Sequence, residues 1–404
     1  MKSIINIHDQ KIPIKSWVSN LEEGALQQSL NLANHPVTKH HVALMPDSHL
    51  GNGMPIGGVV ACKDAVIPNA VGVDIGCGMT FIKTNVPVSD IRKVDTANGN
   101  LLHTIVHTVN RNIPVGFAHH KEPQTCHILD NPPESVQNIP IVMQEIENAK
   151  YQLGTLGGGN HFIEFQEDPE GNFCIMIHSG SRNFGYKIAE EYNKKAIEIT
   201  SSLDKKLELN YLPVDSQEGQ EYLEAMYFAL QFAKENRALM LIRVRSIAFN
   251  LIKKHMGFSG LEYNNFINIH HNFANKEEHF GEEFFIHRKG ATQAFKDQLG
   301  IIPGSMGTPS YIVKGLGNPE SFMSCSHGAG RTMGRNQFTR THTKEECDKA
   351  MEGIIHTGWG KGRKGKIDLS EAPQAYKNID EVIENEKDLI EVVLKLKPVG
   401  VVKG

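Results

Sequence analysis

Cysteine is scarce in this chain of 404 residues. There are six, Cys62, Cys77, Cys126, Cys174, Cys325 and Cys347, with no CxxC spacing or other close pair. That scarcity excludes a disulfide framework and a structural zinc knuckle, and it fits reduced thiols in a reducing compartment. Long apolar runs are missing as well: none approaches the roughly eighteen residues that a membrane helix requires. The opening MKSIINIHDQKIP has neither the apolar core of a secretory signal nor the Arg/Ser-rich, acid-poor character of a transit peptide. A cytoplasmic protein without a membrane partner is the expectation. There is no excess of positive charge either, and a formal net charge of -4 excludes coating of nucleic acid by overall basicity, leaving only a local basic cleft. Internal repeats and low-complexity linkers are absent too.

What remains is a globular composition, 40% hydrophobic and 22% charged, with an abundance of histidine, twenty in all. Much of the chain reads as short apolar strands punctuated by glycine loops. Residues 41–84 alternate β-rich runs with Gly, Pro and Asn turns, and residues 159–182, GNHFIEFQEDPEGNFCIMIHSGSR, read as a hairpin around EDPEG. Period-2 alternation puts Asn160, Phe162 and Glu164 on one face of its first strand and His161 and Ile163 on the other. From about 186 to 256 the texture changes, and the spacing of Leu223, Met226, Phe228, Leu230 and Phe232 predicts amphipathic helices packed as a lobe. Strand-rich halves flanking a helical insertion predict one interdependent α+β domain over residues 1–404.

Metal-competent side chains gather beside glycines at predicted strand ends: Asp47 and His49 in MPDSHLG, Asp74 and Cys77 in DIGCG, Asn160, His161 and Glu164 in GNHFIE, His178 in IHSGSR, His270 and His271 in IHHN, and His327 in SHGAGR. A carbonyl-bonded histidine or a small packed cysteine is the commoner fate of any one of them. Taken together, a thiolate, a carboxylate and several imidazoles suit borderline divalent metals, and a bridging thiolate can hold two. The glycine loops GTLGGGN, PGSMG and SHGAGR offer backbone N–H groups to phosphate oxygens, with Arg182 and Arg331 as bidentate partners. None is a Walker loop. SHGAGR sets an imidazole in a phosphate-friendly loop, as a histidine nucleophile toward phosphorus requires. His119, His120 and His127 read as surface residues, DEVIENEKD as a solvated helix face, and GKGRKGK (360–366) as a mobile basic loop at least as readily as one that tracks a nucleic-acid backbone.

In order along the chain, MPDSHLGNGMPIGG, VGVDIGCGM, GGGNHFIE, IHSGSR, HHN, RKGA, IIPGSMG, SHGAGR and a terminal VVKG resemble the RtcB family of RNA ligases, from about residue 40 onward. The resemblance implies mixed β-sheets in a layered α/β/β/α arrangement with the helical lobe. It also implies a ligase that joins an RNA 3'-phosphate or 2',3'-cyclic phosphate to a 5'-hydroxyl, in tRNA splicing or RNA repair, using GTP and two Mn2+ ions. By that resemblance Cys77 bridges the ions, Asp74 and His161 hold one, and His178 and His271 hold the other. His327 matches the histidine that carries GMP. Asn160, Phe162, Glu164, Ser305, Gly328, Ala329, Gly330, Tyr376 and Lys403 fall at positions like those of the family's GTP pocket, and Arg182, Arg331 and Arg335 are expected to meet RNA. A monomer is expected, and the sequence leaves open whether an activating protein partner is needed for turnover. Ser48 and Asn52 stand where many members read MPDVHLGKG, which removes a positive charge beside the cleft and bears on substrate preference. The glycine run written LGGGN here carries Thr or another residue in some members. Two other readings use the same residues: a dinuclear metallophosphoesterase acting on RNA ends, and a catalytically silent RNA-end-binding relative.

Overall fold

The computed structural model describes every residue except 8, 98, 259, 362–364 and 366, so most of the basic run GKGRKGK lies outside the described residues. Two sheets organise the chain. The first runs, in spatial order, through Ser3–Ile5, Ile14–Ser16, Thr38–His49, Ile56–Cys62, Glu282–Lys289 and Asn272–His279. The second runs through Tyr263–His270, Gly78–Pro87, Asn172–Ser179, Phe162–Glu167, Ile390–Lys403, Ser310–Gly315 and Leu299–Ile302. The alternation of strand residues sorts the packing. Ile163, Phe165, Phe173, Ile175 and Ile177 face a helical layer that includes Leu101, Ile105, Met240, Leu241 and Val244. Met79, Phe81, Cys174 and Met176 point the other way, toward Ile301, Ile312 and Leu396. The inner face of the first sheet, with Ala43, Met45, Val59, Ala61 and Ile286, shares a core with Ile302, Tyr311 and Val313 of the second. Its outer face, with Val42, Leu44 and Val60, is covered by Leu32 and Ala33 of the helix Glu23–Ala33. The result is the helix, sheet, sheet, helix order of an α+β fold.

The hairpin forms as the sequence predicts. Phe162–Glu167 pairs antiparallel with Asn172–Ser179, and the Asp168 carboxylate closes the turn by accepting from the backbone N–H groups of Glu170 and Asn172 at 3.0 and 2.8 Å. The helical stretch expected at about 186–256 consists of Arg182–Ile199 and a 40-residue helix, Gln217–Met256, which is capped by the Ser216 hydroxyl and ends at Gly257 in the left-handed region. The sequence reading missed the helices Glu23–Ala33, Leu101–Asn112 and Pro140–Gln152, all outside that stretch. In Leu101–Asn112 the β-branched Thr104, Ile105, Val106, Thr108 and Val109 read locally as strand, but burying Leu101, Leu102, Ile105, Val106 and Val109 as one stripe against the long helix decides for helix. The terminal VVKG belongs to a 14-residue strand, Ile390–Lys403. Among the described residues no helix is long and apolar enough to cross a membrane.

Register brings the chemistry to one end of the second sheet. Gly78 pairs with Ser179 on one side and with His270 on the other, while Phe162 pairs with His178 and with Lys403. Cys77, His161, His178, His271 and Lys403 therefore sit at the same level of neighbouring strands, although they are far apart in sequence. Gly78 permits this, because a β-carbon there would run into the carbonyl oxygen of Ile269. Gly78→Ala is expected to cost about 2–3 kcal/mol of stability by forcing these strands apart. A chemical-denaturation midpoint equal to that of the parent chain would show that the register is not so constrained.

Candidate metal and nucleotide site

Cys77 lies at the centre of a row of donors. Its Sγ is 3.3 Å from His161 Nε2 and 3.2 Å from His178 Nε2. Beyond His161 comes Asp74, with Oδ2 at 3.1 Å from the same Nε2, and beyond His178 comes His271, Nε2 to Nε2 at 3.3 Å. The donor atoms of Cys77, His161 and His178 lie within 4.8 Å of one another, all three side chains being buried. The row thus has a thiol in the middle and a pair of N or O donors on each side.

Local structure aims these groups. The chain turns through Asp74–Cys77, with the Cys77 N–H on the Asp74 carbonyl at 3.1 Å, and the N–H of His271 reaches the Cys77 carbonyl at 2.8 Å as the chain passes from the second sheet to the first. His178 Nδ1 meets the Asn160 carbonyl at 3.2 Å; donation there fixes the tautomer and leaves Nε2 with its lone pair toward the sulfur. Among the described residues His271 Nδ1 is buried without a partner. From the long helix, the Arg237 guanidinium donates to the carbonyls of Gly76 and Ser179 at 2.8 and 2.9 Å, and Asn236 beside it bonds Gly154 N–H and the Gly180 carbonyl. Neither residue was singled out from sequence, where the helix shows only an apolar stripe.

Electrostatics favours metal-competent forms. Burial holds His161, His178 and His271 below the ordinary imidazole value, so each is a neutral donor at neutral pH. Burial, with the Asp74 carboxylate beside it, pushes the Cys77 thiol up, so a thiolate here needs a nearby cation. Arg237, fully buried and itself pulled down to about 10 by desolvation, is one such charge. The donor set, one thiol, one carboxylate and three imidazoles in a single row, fits one or two divalent ions of borderline softness.

His327 stands next in the row, its ring edge-on to that of His271 with centroids 4.8 Å apart. The buried Asp47 carboxylate takes both its Nδ1 and its backbone N–H, at 2.6 and 3.1 Å. Burial works against the Asp47 charge, yet the imidazole of His327 and the ammonium of Lys377 keep the carboxyl below its ordinary value. With Nδ1 engaged, Nε2 is the free nitrogen. Asp47 was legible as polar and close to a glycine loop, but its pairing with His327 was not.

His327 lies where two cavities meet. One, of about 830 Å³, is lined by Asn160, Phe162, Glu164, Ser305, His327, Gly328, Ala329, Gly330, Tyr376 and Lys403, and also by His178, Arg331, Arg335 and Glu371. The other, of about 410 Å³, is reached by Asp74, Cys77, Asn160, His271, Lys289 and His327. The shared face of Asn160, Phe162 and Glu164 thus opens on the larger cavity, with His161 turned to the opposite side. Glu371, which no motif signalled, collects the cations of that cavity: Lys403 at 2.8 Å, Arg335 at 3.0 Å and Arg331 at 3.3 Å, with the Tyr376 hydroxyl at 2.6 Å. Glu164 is buried and accepts from Ser310 at 3.2 Å and from Gln166, and burial pushes its carboxyl up to about 8. Arg182 is drawn away from both cavities, its Nη1 donating to His161 Nδ1 at 3.0 Å. Of the histidines read as surface residues, His119 and His127 are exposed and His120 is partly covered by Arg243.

A family model described as "tRNA-splicing ligase RtcB" matches residues 28–404. Among curated proteins, the chain is 37% identical to the RNA-splicing ligase RtcB of Escherichia coli (strain K12), with 98% of each chain covered. It is 31% identical to the tRNA-splicing ligase RtcB of Nanoarchaeum equitans (strain Kin4-M), covering 97% of this chain and 95% of that one. It is also 31% identical to the RNA-splicing ligase RtcB homolog 1 of Entamoeba dispar, covering 96% and 83%.

If Cys77 ligates metal, Cys77→Ala and His178→Ala should each lower bound divalent metal to less than half that of the parent chain, as measured by elemental analysis after exhaustive dialysis. Cys174→Ala is the control, since Cys174 is equally buried but packs among Met79, Phe81 and Met176. Full metal content in the Cys77 variant would remove the thiol from the site.

Proposed function

Because the chain belongs to the RtcB family of RNA-splicing ligases, we propose that it joins an RNA 3'-phosphate, or a 2',3'-cyclic phosphate after hydrolysis, to a 5'-hydroxyl at the expense of GTP. The observation that carries this reading is the meeting of the two cavities at His327. The larger accommodates a nucleotide, and the smaller leads from the metal-competent row to solvent. Asp74 and His161 would hold one ion, His178 and His271 the other, with Cys77 between them and manganese as the metal. Bound there, the ions supply charge neutralisation at the phosphates undergoing transfer.

His327 Nε2 attacks the α-phosphorus of GTP. A nitrogen–phosphorus bond forms, the bond to the β-phosphate oxygen breaks, and pyrophosphate leaves. Asp47 accepts from Nδ1–H throughout, which orients the ring and stabilises the cation it becomes. The oxygen of the RNA 3'-phosphate then takes GMP from His327, producing an RNA-3'-pp-G end. The 5'-hydroxyl attacks the 3'-phosphorus of that end and expels GMP. Lys403, Arg331 and Arg335 offer their charge to nucleotide phosphates in place of Glu371, and Gly328–Gly330 offer backbone N–H groups. Phe162 and Tyr376 flank the base, and Ser305 contributes a hydroxyl. Glu164 matches the N1–H and N2–H edge of guanine. Arg331 and Arg335 also stand where RNA leaving the nucleotide cavity would meet them, and Arg182 reaches RNA if it leaves His161.

This chain carries both cavities and the complete donor row, which suits a monomer, with any activating protein acting on turnover. Six buried cysteines with no disulfide among them suit a reducing compartment such as the cytoplasm.

Incubation with Mn2+ and α-labelled GTP should label the protein covalently. His327→Ala should abolish the label, and Asp47→Asn should slow labelling about a hundredfold while leaving bound metal unchanged. Undiminished labelling of the His327 variant would remove it as nucleophile, and phosphate release from RNA ends without any label would favour a phosphoesterase. A second test uses Glu164. Its carboxyl lies near 8 in the free protein and must be ionised to accept from guanine, so bound GTP lowers that value. GTP affinity should therefore rise with pH up to about 8 and level off above. Glu164→Gln should flatten this profile and erase the preference for GTP over ATP. An unchanged profile in that variant would place the titration elsewhere.

A further inference from the structure

The loop before the glycine run carries an aromatic ring that stands fully in solvent. Phe117 is 102% exposed, against 56% for the next most exposed aromatic, Phe266. The backbone that bears it is nonetheless held on several sides. Val115 bridges to Gly157, and Gly116 N–H bonds the Gly157 carbonyl at 2.9 Å. Leu156 N–H returns to the Pro114 carbonyl at 2.9 Å, and His120 N–H reaches Tyr151 at 3.0 Å. The ring is thus displayed by a fixed loop. A Phe side chain left wholly in water gains nothing for folding, whereas the same ring against a flat apolar partner gains a great deal.

Its neighbourhood indicates which partner. The glycine run that anchors the loop leads directly into Asn160, which lines both cavities. Two arginines approach the same run: a β-carbon on Gly159 would lie 3.0 Å from Arg335 Nη1, and one on Gly157 would collide with the Arg182 guanidinium. Lys121 and His119 are exposed farther along the loop, with Glu122 beside them. A protruding ring on a loop pinned to a glycine run that two guanidinium groups also reach, one of them lining the larger cavity, has the make-up of single-strand recognition, in which bases stack on aromatics while cations track the backbone. An apolar protein patch would gain from the ring but not from the arginines.

We propose that Phe117 is a stacking platform for an unpaired base of the RNA substrate near the end to be joined. The proposal rests on the RNA-ligase reading and adds to it a contact that holds the strand by a base rather than by its phosphates. Because every base has a stacking face, Phe117 would favour frayed or single-stranded ends over blunt duplex, with little preference for sequence.

The test measures equilibrium binding of a 5'-hydroxyl single-stranded oligoribonucleotide to the full chain, alongside a series carrying one abasic residue at each position in turn. Phe117→Ala should bind the intact strand about tenfold more weakly, whereas Phe117→Trp should bind it as the parent does. At one position near the end the abasic strand should lose the same factor with the parent chain and nothing further with Phe117→Ala, as expected when the two changes remove one shared contact. An unchanged thermal midpoint for Phe117→Ala would show that the loss is local. Parent-like affinity of Phe117→Ala, an equal loss in Phe117→Trp, or losses that add at every abasic position would overturn the proposal. Parent-like affinity would leave the ring to a protein partner. If the parent chain takes no label from GTP, the ligase reading fails, while the binding comparison still decides the role of Phe117.

Discussion

The contact of one sulfur with two imidazoles, Cys77 with His161 and His178, is the constraint on which the rest of the site depends. The three residues come from three strand ends, and none is near another in sequence. They meet because Gly78–Pro87, Asn172–Ser179 and Phe162–Glu167 are neighbours in one sheet and are paired so that their ends coincide. A slip of one residue in either pairing would turn His178 or Phe162 to the opposite face and dismantle the row. The helical layer guards against this. Arg237 and Asn236 reach over the strand ends and bond the carbonyls of Gly76, Ser179 and Gly180, so the long helix reads the register directly.

Burial both builds this site and raises its chemical stakes. A thiol, three imidazoles and the carboxylate of Asp47 are buried together, and among the described residues Asp47 Oδ1 and His271 Nδ1 have no partner. Desolvation keeps the imidazoles neutral, which suits cation binding, and keeps the thiol protonated, so a cation that takes the sulfur as thiolate must displace its proton. Farther along the row the balance reverses. Asp47 remains ionised despite burial, because His327 and Lys377 face it, and this charge is what a histidine becoming cationic during attack requires. A single gradient of environment thus runs from the buried imidazoles of His161, His178 and His271 to the carboxylate-paired imidazole of His327, as the proposed division into ligands and nucleophile requires.

The sequence disclosed much of this, unevenly. Alternation in GNHFIE placed Asn160, Phe162 and Glu164 on one face, and all three line the larger cavity, because in a hairpin with a tight turn the local pattern and the tertiary face coincide. The order of the strands was not legible: Gly78–Pro87 lies between Tyr263–His270 and Asn172–Ser179, pairings that depend on the whole core rather than on any window. The helix Leu101–Asn112 was hidden by β-branched residues whose burial overrides their local preference. Arg237 was invisible for a related reason. On a 40-residue helix a lone cation reads as solvated, and only the approach of the strand ends reveals that it is buried. Glu371 follows a serine and precedes Ala-Pro in a stretch without periodicity, so nothing local marked it.

Glu371 shows how a cavity lined by three cations is stabilised from within. Lys403, Arg331 and Arg335 converge on the larger cavity, and without a counter-charge their mutual repulsion would splay the Ile390–Lys403 strand end and the loop after His327. The carboxylate, buried and held below its ordinary value in spite of desolvation by Lys403 and Arg335, gathers them and the Tyr376 hydroxyl into one network. A triphosphate brings more negative charge than one carboxylate, and its oxygens are as well suited to guanidinium forks. Binding would then exchange one set of charge-assisted bonds for another without desolvating bare cations, so the cavity meets its phosphate with donors already aimed. The preorganisation that catalysis draws on is, in this view, assembled during folding by a residue that need never touch the reacting atoms.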